Sequence, residues 1–173
     1  MKKGFTLIEL LIVIALLGTL AVALLAAIDP FEQFKKGTDT GVRNTTQEFY
    51  NAAIRYYAQR NGWPAGWPTG GVWNPTVIAN SDPSGIVGPL ISAGELKANF
   101  VEIAESQLDK INIAITGSTL LACFQPVSKS MQNADSNTKY ISAALGSDGQ
   151  PQPDTASDCK LHSGTADCYW CIY

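Results

Sequence analysis

The first thirty residues constrain this chain more than anything after them. Met1-Lys2-Lys3-Gly4 is followed by Phe5-Thr6-Leu7-Ile8-Glu9 and an apolar run from Leu10 to Ile28, which stops at Asp29-Pro30. Phe5 to Ile28 is 24 residues, about 36 Å of helix at ~1.5 Å per residue. That is enough to cross the ~30 Å hydrocarbon core of a bilayer with some tilt. Glu9 is the single charge within it. A carboxylate deep in lipid costs about 2.5–3.5 kcal/mol, less near an interface, so it calls for a partner.

Two kinds of N-terminus fit a basic start and an apolar run. A secretory signal peptide has a 7–15-residue apolar core and a small-residue cleavage site. Ala21-Val22-Ala23 offers such a site, leaving a mature chain that begins near Leu24. Against it, the run continues past those alanines and carries an acid. The other reading places the cut before the run, after Gly4.

Lys2-Lys3-Gly4-Phe5-Thr6-Leu7-Ile8-Glu9-Leu10-Leu11 closely resembles the class III leader junction of type IV pilins and pseudopilins, and the likeness extends through Gly18. The resemblance implies that prepilin peptidase cuts between Gly4 and Phe5 and methylates the new amino group of Phe5. It further implies that Glu9, fifth in the mature chain, neutralises the terminal amine of a neighbouring subunit. Electrostatics favours such a role, because a buried carboxylate is tolerable beside an opposite charge. The plainer alternative is a Glu9 solvated by headgroups. One departure stands out: family members often have proline where this chain has Ala26, and its proline falls instead at Pro30. Asp29 suits an N-cap and Pro30 a first helical position, which predicts a bend or a helix restart there.

With 173 residues, the chain has room for one anchor helix and one modest body. The formal charge is −3, falling to −5 once Lys2 and Lys3 are removed. A weakly acidic body gives no footprint for nucleic acid. Lys2-Lys3 ahead of the span keeps that end cytoplasmic and sends the body out. The four cysteines, Cys123, Cys159, Cys168 and Cys171, all fall late in that body, where disulfides are favoured over thiols.

Beyond Pro30 a helical period persists through Phe31, Phe34, Thr38, Val42, Thr45, Phe49, Ala52 or Ala53, and Tyr56. This predicts an amphipathic continuation with its apolar stripe on a sheet. Gly37 and Gly41 weaken it, and Asn61-Gly62 with Pro64 ends it. The segment Ala53 to Pro64 again resembles the pilin family, where the long helix closes on tyrosine, Asn-Gly and aromatic-Pro. A second helix is expected from Ser92 to about Leu108. Strands are expected at Ile111–Ile115, Leu120–Val127, Lys139–Leu145 and the tail from Cys168 to Tyr173.

The expected fold class is therefore α+β: a long N-terminal membrane-anchoring helix continuing into a small domain with an antiparallel sheet, pilin-like. The segments are a leader at 1–4, a transmembrane and assembly helix at 5–28, its amphipathic continuation at 29–62 and an extracytoplasmic β-rich domain at 63–173.

Three constellations remain. Trp63, Trp67 and Trp73, in and after the repeat Gly-Trp-Pro-Ala-Gly-Trp-Pro, offer an aromatic face for a sugar or a partner. Packing over the sheet is the favoured reading, since large aromatics usually bury much of their area. Cys168-Tyr169-Trp170-Cys171 has C-x-x-C spacing, but in a strand positions i and i+3 point to opposite faces, which disfavours a zinc or redox pair. A zinc site from Cys159, Cys168, Cys171 and His162 was weighed against two disulfides. Two disulfides are preferred; four cysteines allow three connectivities, among which the sequence does not choose, with a leaning to one bridge from Cys123 to the tail and one at Cys159. No catalytic or cofactor motif is present: one histidine, no Gly-x-Ser-x-Gly, no glycine-rich phosphate loop.

The functional expectation is a structural subunit of a type IV pilus-like filament, stored in the bacterial cytoplasmic membrane and then polymerised on the cell surface. Its expected partners are itself, prepilin peptidase, the membrane assembly machinery and lipid before assembly. A pseudopilin of a secretion or competence system shares the same N-terminus. An anchored or secreted binding protein using the tryptophan loop is the alternative of another class.

Overall fold

A computed structural model describes residues 4–27, 29–69, 76–78, 85–134, 139–145, 151–153 and 168–173. Helix α1 (Leu7–Ala27) is apolar all round, and α2 (Pro30–Arg60) is amphipathic. The restart is set by Asp29, whose Oδ1 accepts the Glu32 N–H at 3.3 Å, with Pro30 opening the helix. Asn61 ends α2 in the left-handed region at φ 51°, donating its N–H to the Tyr57 carbonyl at 2.7 Å. The chain divides into two compact units, Met1–Phe34 and Lys35–Tyr173, so most of α2 belongs with the body rather than with the anchor.

The buried stripe of α2 is Asp39, Val42, Thr46, Phe49, Ala52 and Ala53. It corrects the expected stripe in two places. Asp39 and Thr46 are buried where Thr38 and Thr45 were expected, and Phe31 and Phe34 are exposed. Burying an aspartate is permitted only because its carboxylate is fully engaged, a point taken up below.

Downstream, the expected helix from Ser92 to Leu108 is broken into pieces. They are α3 (Gly88–Ser92), α4 (Phe100–Ala104) and a 3-10 helix at Glu105–Lys110. Gly94, at φ 78°, turns the chain after α3, and Glu105 enters the 3-10 helix at φ 41°. A helical period of Leu96, Phe100, Ile103 or Ala104, and Leu108 runs through this stretch; Leu96, Phe100, Ala104 and Leu108 are buried, whereas Ile103 is exposed. Arg55 and Gln59 of α2 grip this region through Glu95: Arg55 Nε to Oε2 at 2.9 Å, Gln59 Nε2 to Oε1 at 2.7 Å, and Arg55 Nη2 to the Glu95 carbonyl at 2.9 Å.

Among the described residues six antiparallel strands follow the order β1-β2-β3-β6-β4-β5, where β1 is Thr76–Val77, β2 Ile111–Thr116, β3 Thr119–Phe124, β4 Lys139–Leu145, β5 Pro151–Pro153 and β6 Cys168–Ile172. Four were expected; β1, β5 and the short helix α5 (Lys129–Ala134) were not. The β2–β3 hairpin turns through Gly117-Ser118, with Gly117 at φ 58°, the left-handed value that a two-residue loop demands. Strands consecutive in sequence are not all neighbours: the C-terminal strand β6 inserts between β3 and β4. Period-two alternation divides the side chains of β2 and β3. Ile111, Ile113, Ile115, Leu120, Ala122 and Phe124 pack with Val42, Phe49, Ala52 and Ala53 of α2, while Ala114, Leu121 and Cys123 form a separate cluster with Cys171.

Candidate functional site

Every large apolar side chain of α1 from Leu7 to Leu25 is exposed, at 46% or more of its area. A helix apolar on all sides has no face that suits water. Its span Leu7–Leu25, 19 residues, is about 28 Å long at ~1.5 Å per residue, close to a bilayer core.

Glu9, the charge in this helix, lies in its first turn and is tied to Thr6. The Thr6 N–H and Thr6 Oγ1 both donate to Glu9 Oε2 at 2.8 Å, and the Glu9 N–H donates back to Thr6 Oγ1 at 3.3 Å. This is a capping box, in which residues three apart satisfy each other's free backbone donors. The Thr-x-x-Glu spacing announces it, and reading Glu9 only as an assembly residue overlooks it. Phe5 stands 86% exposed ahead of the helix. A Cβ placed on Gly4 would meet nothing within 4 Å, so this chain's own packing does not require glycine there.

Trp63 and Trp67 pack against aromatic side chains of α2. Phe49 and Tyr57, two turns apart on α2, bracket the two tryptophans of the repeat in one row of aromatic rings. Tyr57 lies 4.4 Å from Trp63, Trp63 5.9 Å from Trp67 and Trp67 5.8 Å from Phe49, centroid to centroid. Trp63 Nε1 also donates to the Gly117 carbonyl at 2.9 Å, joining the loop to the β2–β3 turn. Trp67 is buried and Trp63 half-buried, in keeping with the favoured reading that they pack rather than stand displayed; Trp73 lies outside the described residues.

Of the cysteines, Cys123 on β3 and Cys171 on β6 face each other in register and are joined by a disulfide, with Cα atoms 4.1 Å apart. The bridge therefore ties the tail to Cys123 as expected. Cys168 lies on β6 opposite Ile141 of β4, while Cys159 and His162 lie outside the described residues. Among the described residues no cluster of three metal-ligating side chains occurs.

Comparison with known proteins now adds a family. The prokaryotic N-terminal methylation motif matches residues 1–25. A type IV major pilin protein PilE1 of Neisseria gonorrhoeae is 32% identical over 120 residues, covering 69% of this chain and 67% of that protein. The chain belongs to the type IV pilin family. A fimbrial protein of Neisseria meningitidis serogroup B is 28% identical over 175 residues, covering 92% of this chain and 96% of its own length. The likeness to this fimbrial protein therefore runs through the body as well as the apolar helix. No solved structure matches. The apolar helix followed by an antiparallel sheet is the α+β fold that the pilin resemblance implied.

Proposed function

We propose that this pilin is made as a prepilin, cut by prepilin peptidase between Gly4 and Phe5, and polymerised through α1 into a surface filament. The observation that carries the reading is α1 itself: wholly exposed, apolar on every side, and charged only in its first turn. Before assembly, lipid satisfies such a helix. In a filament, the same helix of neighbouring copies does so.

Glu9 has a distinct part in each state. In the isolated subunit Thr6 occupies one carboxylate oxygen, Oε2. Cutting after Gly4 creates a cationic amine at Phe5, and a carboxylate in an apolar bundle gains most from an opposite charge at close range. Pairing with the amine of another subunit would give assembly both its register and its dependence on cleavage. Glycine at position 4, unneeded by the fold, is then a requirement of the processing enzyme.

N-terminal sequencing with mass analysis tests this directly. A mature chain starting at N-methylated Phe5 is expected, and one starting near Leu24 would have no anchor and overturn the proposal. For the electrostatic step, Glu9→Ala should leave membrane-bound subunits that build no filaments. Normal filaments from that variant would remove Glu9 from the mechanism.

A further inference from the structure

We infer that Asp39 is a latch that holds residues 35–41 of α2 on the rest of the body, and that its opening frees them while the core beneath stays folded. Asp39 is the first buried residue of α2, at 2% exposure, and it is a carboxylate where the rest of the stripe is apolar or hydroxylic. Oδ1 accepts the Val127 N–H at 3.0 Å, and Oδ2 accepts the N–H groups of Val127 at 3.2 Å and Ser128 at 2.8 Å. Hydrogen bonds to a charged acceptor are worth about 1.5–3 kcal/mol each, so this contact outweighs a typical buried methyl group.

The receiving loop is built to present those amides. Ser128 is fully buried, its Oγ accepts the Met131 N–H at 3.4 Å, and Gln132 Nε2 donates to the Pro126 carbonyl at 2.8 Å. The loop also leads from β3, which carries Cys123, into α5, so Asp39 couples the start of α2 to a segment 88 residues away in sequence.

What surrounds Asp39 makes the contact a latch. On its N-terminal side Lys35, Gly37 and Thr38 are exposed, and the division between the two compact units falls one turn earlier, after Phe34. Gly37 and Gly41 flank it, each costing a helix about 1 kcal/mol relative to alanine. On its C-terminal side the fastening becomes dense. Val42 is buried, the Arg43 guanidinium sits 5.0 Å over the Trp170 ring, and Thr45 Oγ1 donates to Gln107 at 2.6 Å. Opening at Asp39 therefore has a natural limit at Val42.

Hydrogen exchange of the full-length chain in detergent micelles, read by mass spectrometry, tests the latch. In the unsubstituted chain, amides at 39–41 and at 127–128 should share one opening equilibrium, weaker than that of Ala52-Ala53 and the β2–β3 hairpin. Unequal protection of the two segments would overturn the inference. Asp39→Ala and Asp39→Asn should speed exchange in both segments at least about tenfold, leaving Ala52-Ala53 and the hairpin unchanged. The alanine variant discriminates sharply, because alanine is the better helix former and propensity alone would slow exchange. Slower or unchanged exchange, or equal acceleration everywhere, would sink the latch. The measurement needs only the subunit, so its failure leaves the filament reading intact.

Discussion

Replacing both Cys123 and Cys171 by alanine should weaken the body by an amount that the fold itself sets. The bridge joins residues 48 apart. Closing such a loop in the unfolded chain removes conformational entropy worth about 4 kcal/mol at 25 °C by the chain-entropy relation. Topology makes that loss global rather than local. The bridge holds β6 against β3, and β6 in turn is the strand through which β4 and β5 join the sheet. Letting β6 go would therefore unzip three strands, so no peripheral fraying can absorb the change. For a body of this size about 4 kcal/mol corresponds to a fall in melting temperature of roughly 10–15 °C. The assay is denaturant unfolding of the detergent-solubilised chain, followed by tryptophan fluorescence, since Trp170 lies on β6 and Trp67 on the far side of α2's stack. The two probes should move together, with the midpoint lowered and the slope against denaturant raised, because the unbridged unfolded chain is more expanded. A shift below about 1 kcal/mol, or a Trp170 signal lost well before that of Trp67, would refute the argument that β6 is integral to the sheet.

Three further outcomes follow from particular residues. Trp67 carries a buried Nε1–H with no partner among the described residues; Trp67→Phe should then cost under about 1.5 kcal/mol while Trp67→Ala costs about 3–5, and equal losses in thermal unfolding would show that the stack is not what fixes the loop. Glu105 adopts φ 41° with an exposed side chain, so Glu105→Gly should raise stability by about 1 kcal/mol, and a lowered denaturant midpoint would contradict strain at that turn. With Cys123 and Cys171 joined, an extracytoplasmic chain leaves Cys159 and Cys168 as each other's intrachain partner. Non-reducing peptide mapping should recover that pair, and free thiols at both would defeat the expectation.

How much of this was legible in the sequence depends on whether a residue's job is local or shared. The anchor could be read because the apolar run from Leu10 to Ile28 imposes the same demand wherever it lies. Asp29, Pro30, Asn61 and Gly117 could be read because caps and turns are settled by their own backbone. The failures are places where a distant partner decides. Charge alone would put Asp39 outside; only the amides of Val127 and Ser128, 88 and 89 residues away, make inside acceptable. Nothing local marks β6 as a central strand, since its neighbours are chosen by a bridge to Cys123 and by pairing with β4. For the tryptophan repeat packing was the favoured reading, but which residues it packs on was not legible, since the mates Phe49 and Tyr57 stand on α2 with the spacing of two helical turns. Glu9 is the informative middle case. Its partner in the subunit, Thr6, was visible at three residues' distance, whereas the partner proposed for it in a filament lies on another molecule. A side chain satisfied twice, once within its own chain and once by a neighbour, is what an assembly switch requires: the first bond makes storage tolerable, and the second must be the stronger for polymerisation to proceed.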